Sequence, residues 1–214
     1  MPRKKRKPAV HDSIIVPSFV RRHAAGLVIV VVLAAGVIVD RVAYRAPQSN
    51  DQTRYHDKTF RVVHVVDGDT LDIDIPDGDR PVTRIRLWGV DTPEVGLHDT
   101  TLMHFGPEAS EFAKQTLADR AVHVVLSPDR TRGKYGRLLA YVYLEHGGRM
   151  FNEMLIEEGY AYADLRFKHH YYKQFKAMDK RARTAGVGLW KDVTPETMPG
   201  WKRRFEEEAS AGKP

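Results

Sequence analysis

The chain has 214 residues, 42% of them hydrophobic and 29% charged, which excludes a disordered polypeptide and leaves room for one ordinary domain plus extensions. It has no cysteine, which excludes a disulfide framework, an iron–sulfur cluster and a thiol nucleophile without fixing the compartment. The formal net charge of +6 does not make the folded part basic. Residues 1–23 hold seven basic side chains against one acid, Asp12, and taking these from totals of 34 and 28 leaves 27 of each sign in the rest.

That basic tail, residues 1–23, leads into an unbroken apolar run, Ala24 to Val39. As a helix the run spans roughly 24 Å at about 1.5 Å per residue. That is short for a hydrocarbon core of about 30 Å but usable when flanking arginines snorkel. Residues 24–39 are therefore expected to form a single transmembrane signal anchor, with the N-terminus inside and the rest extracytoplasmic. The alternative is a cleaved signal peptide and a secreted protein, although no clean Ala-x-Ala site follows the run. Residues 40–57 are polar and of mixed charge and are expected to be a linker.

From Lys58 the pattern is that of strands, and residues 58–192 are expected to form one domain. Thr59–Val66 is rich in β-branched residues, Asp67-Gly68 is a turn signal, and Thr70–Ile75 alternates Leu71, Ile73 and Ile75 against Asp72 and Asp74. A third strand over Val82–Val90 places Ile85 and Leu87 on one face and Arg84, Arg86 and Trp88 on the other. After the loop 91–106, a helix opens at Pro107-Glu108, with Ala109, Phe112, Ala113 and Leu117 as its apolar stripe. Val122–Leu126 and Arg137–Leu144 complete five strands, and helices follow over Phe151–Glu158 and about His169–Thr184. Five short strands with one helix between the third and fourth is the layout of an α+β protein built on a Greek-key OB-fold β-barrel with three helices. Residues 193–214 are expected to be a solvated, partly helical polar tail.

Three stretches carry chemistry: Asp67-Gly68-Asp69-Thr70, Arg86 through Glu94, and Lys134-Tyr135-Gly136-Arg137. Asp69 lies just beyond the first turn and Asp91 at the end of the third strand, so a curved meander brings both to one rim. Paired carboxylates suit a hard cation such as Ca²⁺ or Mg²⁺. In Asp91-Thr92-Pro93-Glu94 the proline holds the two acids in a defined relation, one for a metal and one to polarise water. Arg86 and Arg137 offer planar forks to phosphate oxygens. Singly, each stretch also reads as an ordinary hairpin turn or strand edge, and for Lys134 the turn reading is preferred.

Together these motifs resemble the staphylococcal nuclease (thermonuclease) family. Also matching are Gly106-Pro107-Glu108-Ala109, Lys134 through Tyr141, Asn152-Glu153-x-Leu155 and Gly188-Leu189-Trp190. The resemblance covers residues about 59–190 and implies a calcium-dependent nuclease that cleaves DNA and RNA to 3′-phosphate ends. It implies that Asp69 and Asp91 bind Ca²⁺ through side chains and Thr92 through its carbonyl, with Asp67 in support. It implies Glu94 as general base, Arg86 and Arg137 on the scissile phosphate, and Tyr135, with Lys134, near the nucleotide. Gly133 departs from an Asp common in the family, and Leu165 and Phe167 replace two tyrosines, which puts substrate affinity in doubt. A domain of zero net charge adds the expectation of weaker nucleic-acid binding.

His98, His104 and the pair His169-His170 lack a familiar zinc spacing and are not taken as ligands. Tyr171, Tyr172, Phe175 and Met178 are expected in the core. A membrane-anchored, monomeric, Ca²⁺-dependent nuclease is the leading expectation, and an inactive OB module tethering nucleic acid at the membrane is the alternative.

Overall fold

The computed structural model describes residues 50–96 and 102–211, which fall within one compact unit, Gln48–Pro214. The basic tail, the apolar run 24–39, the first part of the linker, and His98 with Asp99 lie outside the described residues. No helix among the described residues is long and apolar enough to cross a membrane.

Five strands close a barrel: β1 (Lys58–Val65), β2 (Thr70–Ile73), β3 (Thr83–Leu87), β5 (Ala121–Leu126) and β6 (Leu138–Tyr143), in the order β1-β2-β3-β6-β5. Neighbours are antiparallel except β3 and β6, which run parallel in the register Ile85↔Leu138 and Leu87↔Ala140. Closure leaves no free sheet edge, and the alternate residues Leu71, Ile73, Ile85, Leu87, Val122, Val124, Leu138, Ala140 and Val142 fill the interior. This α+β, five-stranded closed barrel is consistent with the OB architecture expected from the strand count.

Helix α1 (Gly106–Leu117) begins with proline in its first turn and buries Ala109, Ala113 and Leu117. Helix α2 (Phe151–Glu157) contributes Phe151, Leu155 and Ile156 to the core, and fully buried Asn152 ties it to the barrel. The Asn152 amide donates to the Trp88 carbonyl at 3.0 Å, and its oxygen accepts from the Val142 N–H at 3.0 Å. Removing that side chain would leave buried backbone groups unpaired, at about 1–3 kcal/mol each. Helix α3 (Tyr172–Ala185) buries Phe175 and Met178, with Tyr171 and Tyr172 packed against the same core.

Five local expectations change. Asp72 is not solvent-facing: β2 is buried at every position, and Asp72 survives there because Arg84 pairs with both its oxygens at 2.8 and 2.9 Å. The third strand stops at Leu87, because Gly89 turns the chain at φ 80°. The chain then resumes as β4 (Val90–Asp91), which pairs outside the barrel with β7 (Tyr162–Ala163). Trp88 consequently turns inward and is buried.

The expected linker is part of the fold from residue 50 onward. Residues 50–55 are helical, Tyr55 is fully buried, and Asp51 accepts from Thr131 Oγ1 at 2.8 Å and from Arg132 at 2.7 and 2.8 Å. The polar tail likewise contains helix α4 (Gly200–Ser210) docked on the domain. Lys202 is 1% exposed there, a burial made tolerable by Asp179 at 2.9 Å and Glu206 at 3.4 Å.

Candidate active site

The turn between β1 and β2 places the first carboxylates. Asp67 Oδ1 accepts the Asp69 N–H at 3.0 Å, an Asx turn that fixes the backbone. A Cβ on Gly68 would meet the Thr92 side chain at 2.8 Å, so glycine is what lets this turn approach the 91–94 segment. Asp69, 1% exposed, then accepts the Thr92 N–H on Oδ2 at 2.9 Å. Thr92 thus meets Asp69 through its N–H. Burial, the largest influence on Asp67, raises its carboxyl above the ordinary range against the pull of Arg86.

Arg86, opposite Thr70 in the β2–β3 ladder, bridges the two expected metal ligands. One guanidinium nitrogen donates to Asp69 Oδ1 and another to Asp91 Oδ1. Asp91 is further held by groups that sequence reasoning missed. Arg166 donates to its Oδ1 at 3.1 Å, and the Trp201 indole N–H, from α4, donates to its Oδ2 at 2.7 Å. The Arg166 guanidinium lies 4.4 Å above the Trp201 ring and forms a fork with Asp164 at 2.8 and 2.9 Å. Asp179 completes the support by accepting from the Ala163 N–H of β7 and from Lys202 of α4, each at 2.9 Å.

Arg137 contrasts with Arg86. Among the described residues it has no carboxylate within ion-pairing distance, and its hydrogen bond to Thr70 Oγ1 is long, at 3.4 Å. Burial and then the neighbouring Arg86 charge lower its pKa, while Asp67 and Glu94 pull the other way. A guanidinium in that position is poised for an anionic oxygen. Glu94 is exposed, and its backbone carbonyl accepts the Met103 N–H at 3.0 Å. A Cβ on Gly106 would collide with that carbonyl, so the start of α1 is what holds the Glu94 backbone. Partial desolvation, then the charges of Asp67 and Asp91, raise the Glu94 carboxyl above the ordinary glutamate range.

Beside these groups lies a groove of about 290 Å³. Its lining carries five cationic side chains, Arg86, Arg130, Lys134, Arg137 and Arg166, against one carboxylate, Asp164. Zero net charge over the domain therefore conceals a cationic groove. Trp88 and Phe167 stack at 5.8 Å on its wall, and Arg130 lies 5.9 and 5.8 Å from their rings. Tyr135, 72% exposed, stands at the rim with Lys134 over its ring at 5.6 Å. Of the departures, Phe167 lines the groove while Leu165 is buried in the core. Gly133 is not imposed by space, since a Cβ there would make ordinary contact with Leu139 at 3.5 Å. His169 is partly buried and hydrogen-bonded to Tyr141 at 3.0 Å whereas His170 is exposed, so the adjacent histidines diverge.

The structure thus brings Asp67, Asp69, Arg86, Asp91, Thr92, Glu94 and Arg137 to one rim, with Lys134 and Tyr135 at its edge. Residues 84–192 match the family described as Staphylococcal nuclease homologue. The thermonuclease of Staphylococcus hyicus is 33% identical over 172 residues, covering 79% of this chain and 98% of that protein. The thermonuclease of Staphylococcus intermedius is also 33% identical over 172 residues, with the same shares covered. Endonuclease YncB of Bacillus subtilis (strain 168) is 30% identical over 146 residues, covering 67% of this chain and 66% of that protein. On the family match and the near full-length likeness to the two thermonucleases, this chain belongs to the staphylococcal nuclease homologue family and is a nuclease, a hydrolase.

Proposed function

We propose that the chain is a calcium-dependent nuclease that hydrolyses phosphodiester bonds of DNA and RNA and leaves 3′-phosphate ends. The observation that carries this reading is Arg137, a partly buried cation without a carboxylate partner among the described residues, beside Arg86 of the Arg86–Asp69–Asp91 bridge and within the electrostatic reach of Glu94. Asp69 and Asp91, with the Thr92 carbonyl, would hold the ion: their oxygens are hard donors that fit Ca²⁺, and both carboxylates already face a positive charge in Arg86. When bound, Ca²⁺ supplies positive charge next to the phosphate. Arg86 engages the same oxygens, so guanidinium and ion compete for them.

The side chains then have distinct tasks. Glu94 accepts a proton from water as the water oxygen bonds to phosphorus. The P–O5′ bond breaks, O5′ takes a proton from solvent water and departs as a hydroxyl, and the phosphate stays on the 3′ side. Arg86 and Arg137 hold the non-bridging oxygens and stabilise their growing charge. Tyr135 and Lys134 flank the nucleotide, and the wall of Trp88 and Phe167 offers a surface for a base. A raised Glu94 carboxyl means that the base form fills only above the ordinary glutamate range, so cleavage should rise with pH through that region.

The proposal extends to location. Residues 24–39, preceded by the basic tail, would anchor the chain as a single-pass helix with the nuclease domain extracytoplasmic and monomeric. Secretion after signal cleavage is the alternative. The test is to incubate the full-length chain with plasmid DNA and with RNA in millimolar Ca²⁺, Mg²⁺ or EGTA, and to map the product ends. Cleavage in Ca²⁺ alone with 3′-phosphate and 5′-hydroxyl ends is expected. Retention of single strands without cleavage would instead make the chain a nucleic-acid tether.

A further inference from the structure

Far from the nuclease rim, three donors converge that no sequence spacing linked. Asp57 follows the helical residues 50–55, His123 lies on β5, and His146 lies in the hairpin after β6. His123 Nε2 is 2.9 Å from Asp57 Oδ1 and 3.3 Å from His146 Nδ1, and the donor atoms of all three lie within 4.8 Å of one another. The two imidazole rings meet at 72° with centroids 4.5 Å apart. His123 itself is 5% exposed.

We propose that Asp57, His123 and His146 form a second metal site, for a borderline divalent transition ion, zinc first. Tetrahedral zinc with ligand bonds of about 2.0–2.1 Å sets neighbouring donors about 3.3 Å apart, and the two separations at His123 Nε2, 2.9 and 3.3 Å, lie at or just under that spacing. His123 Nε2 faces Asp57 Oδ1 and His146 Nδ1 at once: as a donor it has a single proton to share between them, and as an acceptor from His146 it turns a lone pair on the carboxylate. An ion at the centre uses all three lone pairs and leaves a fourth position for water. Two imidazoles and one carboxylate select against Ca²⁺, which prefers oxygen ligands throughout.

The backbone prepares the three positions. The Asp57 N–H donates to the Val124 carbonyl at 2.9 Å, His123 pairs with Thr59 on one side and Tyr143 on the other, and the His146 turn is closed by Leu144 N–H to Arg149 O at 3.1 Å. A metal there clips the segment leading into β1 onto the β1–β5 seam and the β6 hairpin. It would act on stability and not on the cleavage chemistry.

The test is calorimetric titration of the full-length chain with ZnCl₂, alongside melting curves in Zn²⁺ and in EDTA. His146→Gln, at an exposed turn, is the main variant, His123→Gln the second, and Asp69→Asn reports any zinc taken by the nuclease rim. One zinc per chain is expected, bound at least about tenfold more weakly in His146→Gln and unchanged in Asp69→Asn. Zinc should raise the melting temperature of the wild type and not that of His146→Gln. Absence of binding, equal affinity in wild type and His146→Gln, or loss of binding in Asp69→Asn would each overturn the proposal.

Discussion

The two ends of strand β6 hold different chemistries. Arg137 precedes one end beside Arg86, Asp67 and Glu94, while Tyr143 at the other lies opposite His123. Six residues of extended chain set these ends about 20 Å apart. The first gathers carboxylate oxygens and guanidiniums, a setting for a hard cation and a phosphate. The second gathers two imidazoles and one carboxylate, a setting for a borderline metal. Closing the barrel brings loops together at both rims, and the residue types carried by those loops decide which ion each rim can serve.

The difference is sharpest at the guanidiniums. Removing Arg137 deletes the cation that has no carboxylate partner among the described residues, so Arg137→Ala should lower turnover by about 10²–10³-fold, with little change in melting temperature. Steady-state kinetics and a melting curve on the same sample check both halves. Trp201→Phe is subtler: it keeps the ring against Arg166 and Tyr162 and deletes the N–H that holds Asp91 Oδ2. Calcium affinity should fall by about tenfold or more, measured by calcium titration, while zinc binding at the far rim stays as in the wild type. Equal loss at both rims would mean that α4 acts through global stability.

Acid separates the ends in another way. Burial pushes His169, beneath Gly89, down to about 4, so the folded protein prefers it neutral. The unfolded chain takes up this proton near 6.5, and stability should therefore fall by up to about 3 kcal/mol as pH drops from 6.5 to 4. Urea midpoints at pH 7 and pH 4.5 should differ less in His169→Gln than in wild type, and an identical loss in both would contradict the assignment. The smallest expected effect is at the groove wall. Phe167→Ala should weaken single-strand binding by about 1–2 kcal/mol through lost base stacking, read by fluorescence anisotropy, with turnover at saturation unchanged.

Much of the nuclease rim was legible because its residues travel in short runs. Asp67 through Thr70 and Arg86 through Glu94 each carry several functional groups, and alternation of Leu71 and Ile73 or Ile85 and Leu87 marks the strands that carry them. What stayed hidden depends on distant partners. Trp201 meets Asp91 across 110 positions, and Lys202 is buried because Asp179, 23 positions earlier, awaits it. A lysine–arginine run followed by glutamates reads as a solvated tail until those partners are placed. The ribbon of β4 and β7, two residues each, is too short for any periodicity. Asp57 and His123 are 66 positions apart, so the second rim had no spacing to display. Local patterns reported the barrel, and only the closed barrel reports what its rims share.

The most direct test of the account is single-turnover cleavage of DNA in Ca²⁺ by wild type and Glu94→Gln, with strand binding measured in parallel. The amide keeps the size of Glu94 and cannot take a proton from water. A fall of about 10²–10⁴-fold in the cleavage rate with binding nearly unchanged is the result predicted. Equal cleavage rates would remove Glu94 as the base, and the carboxylate rim would then serve binding alone.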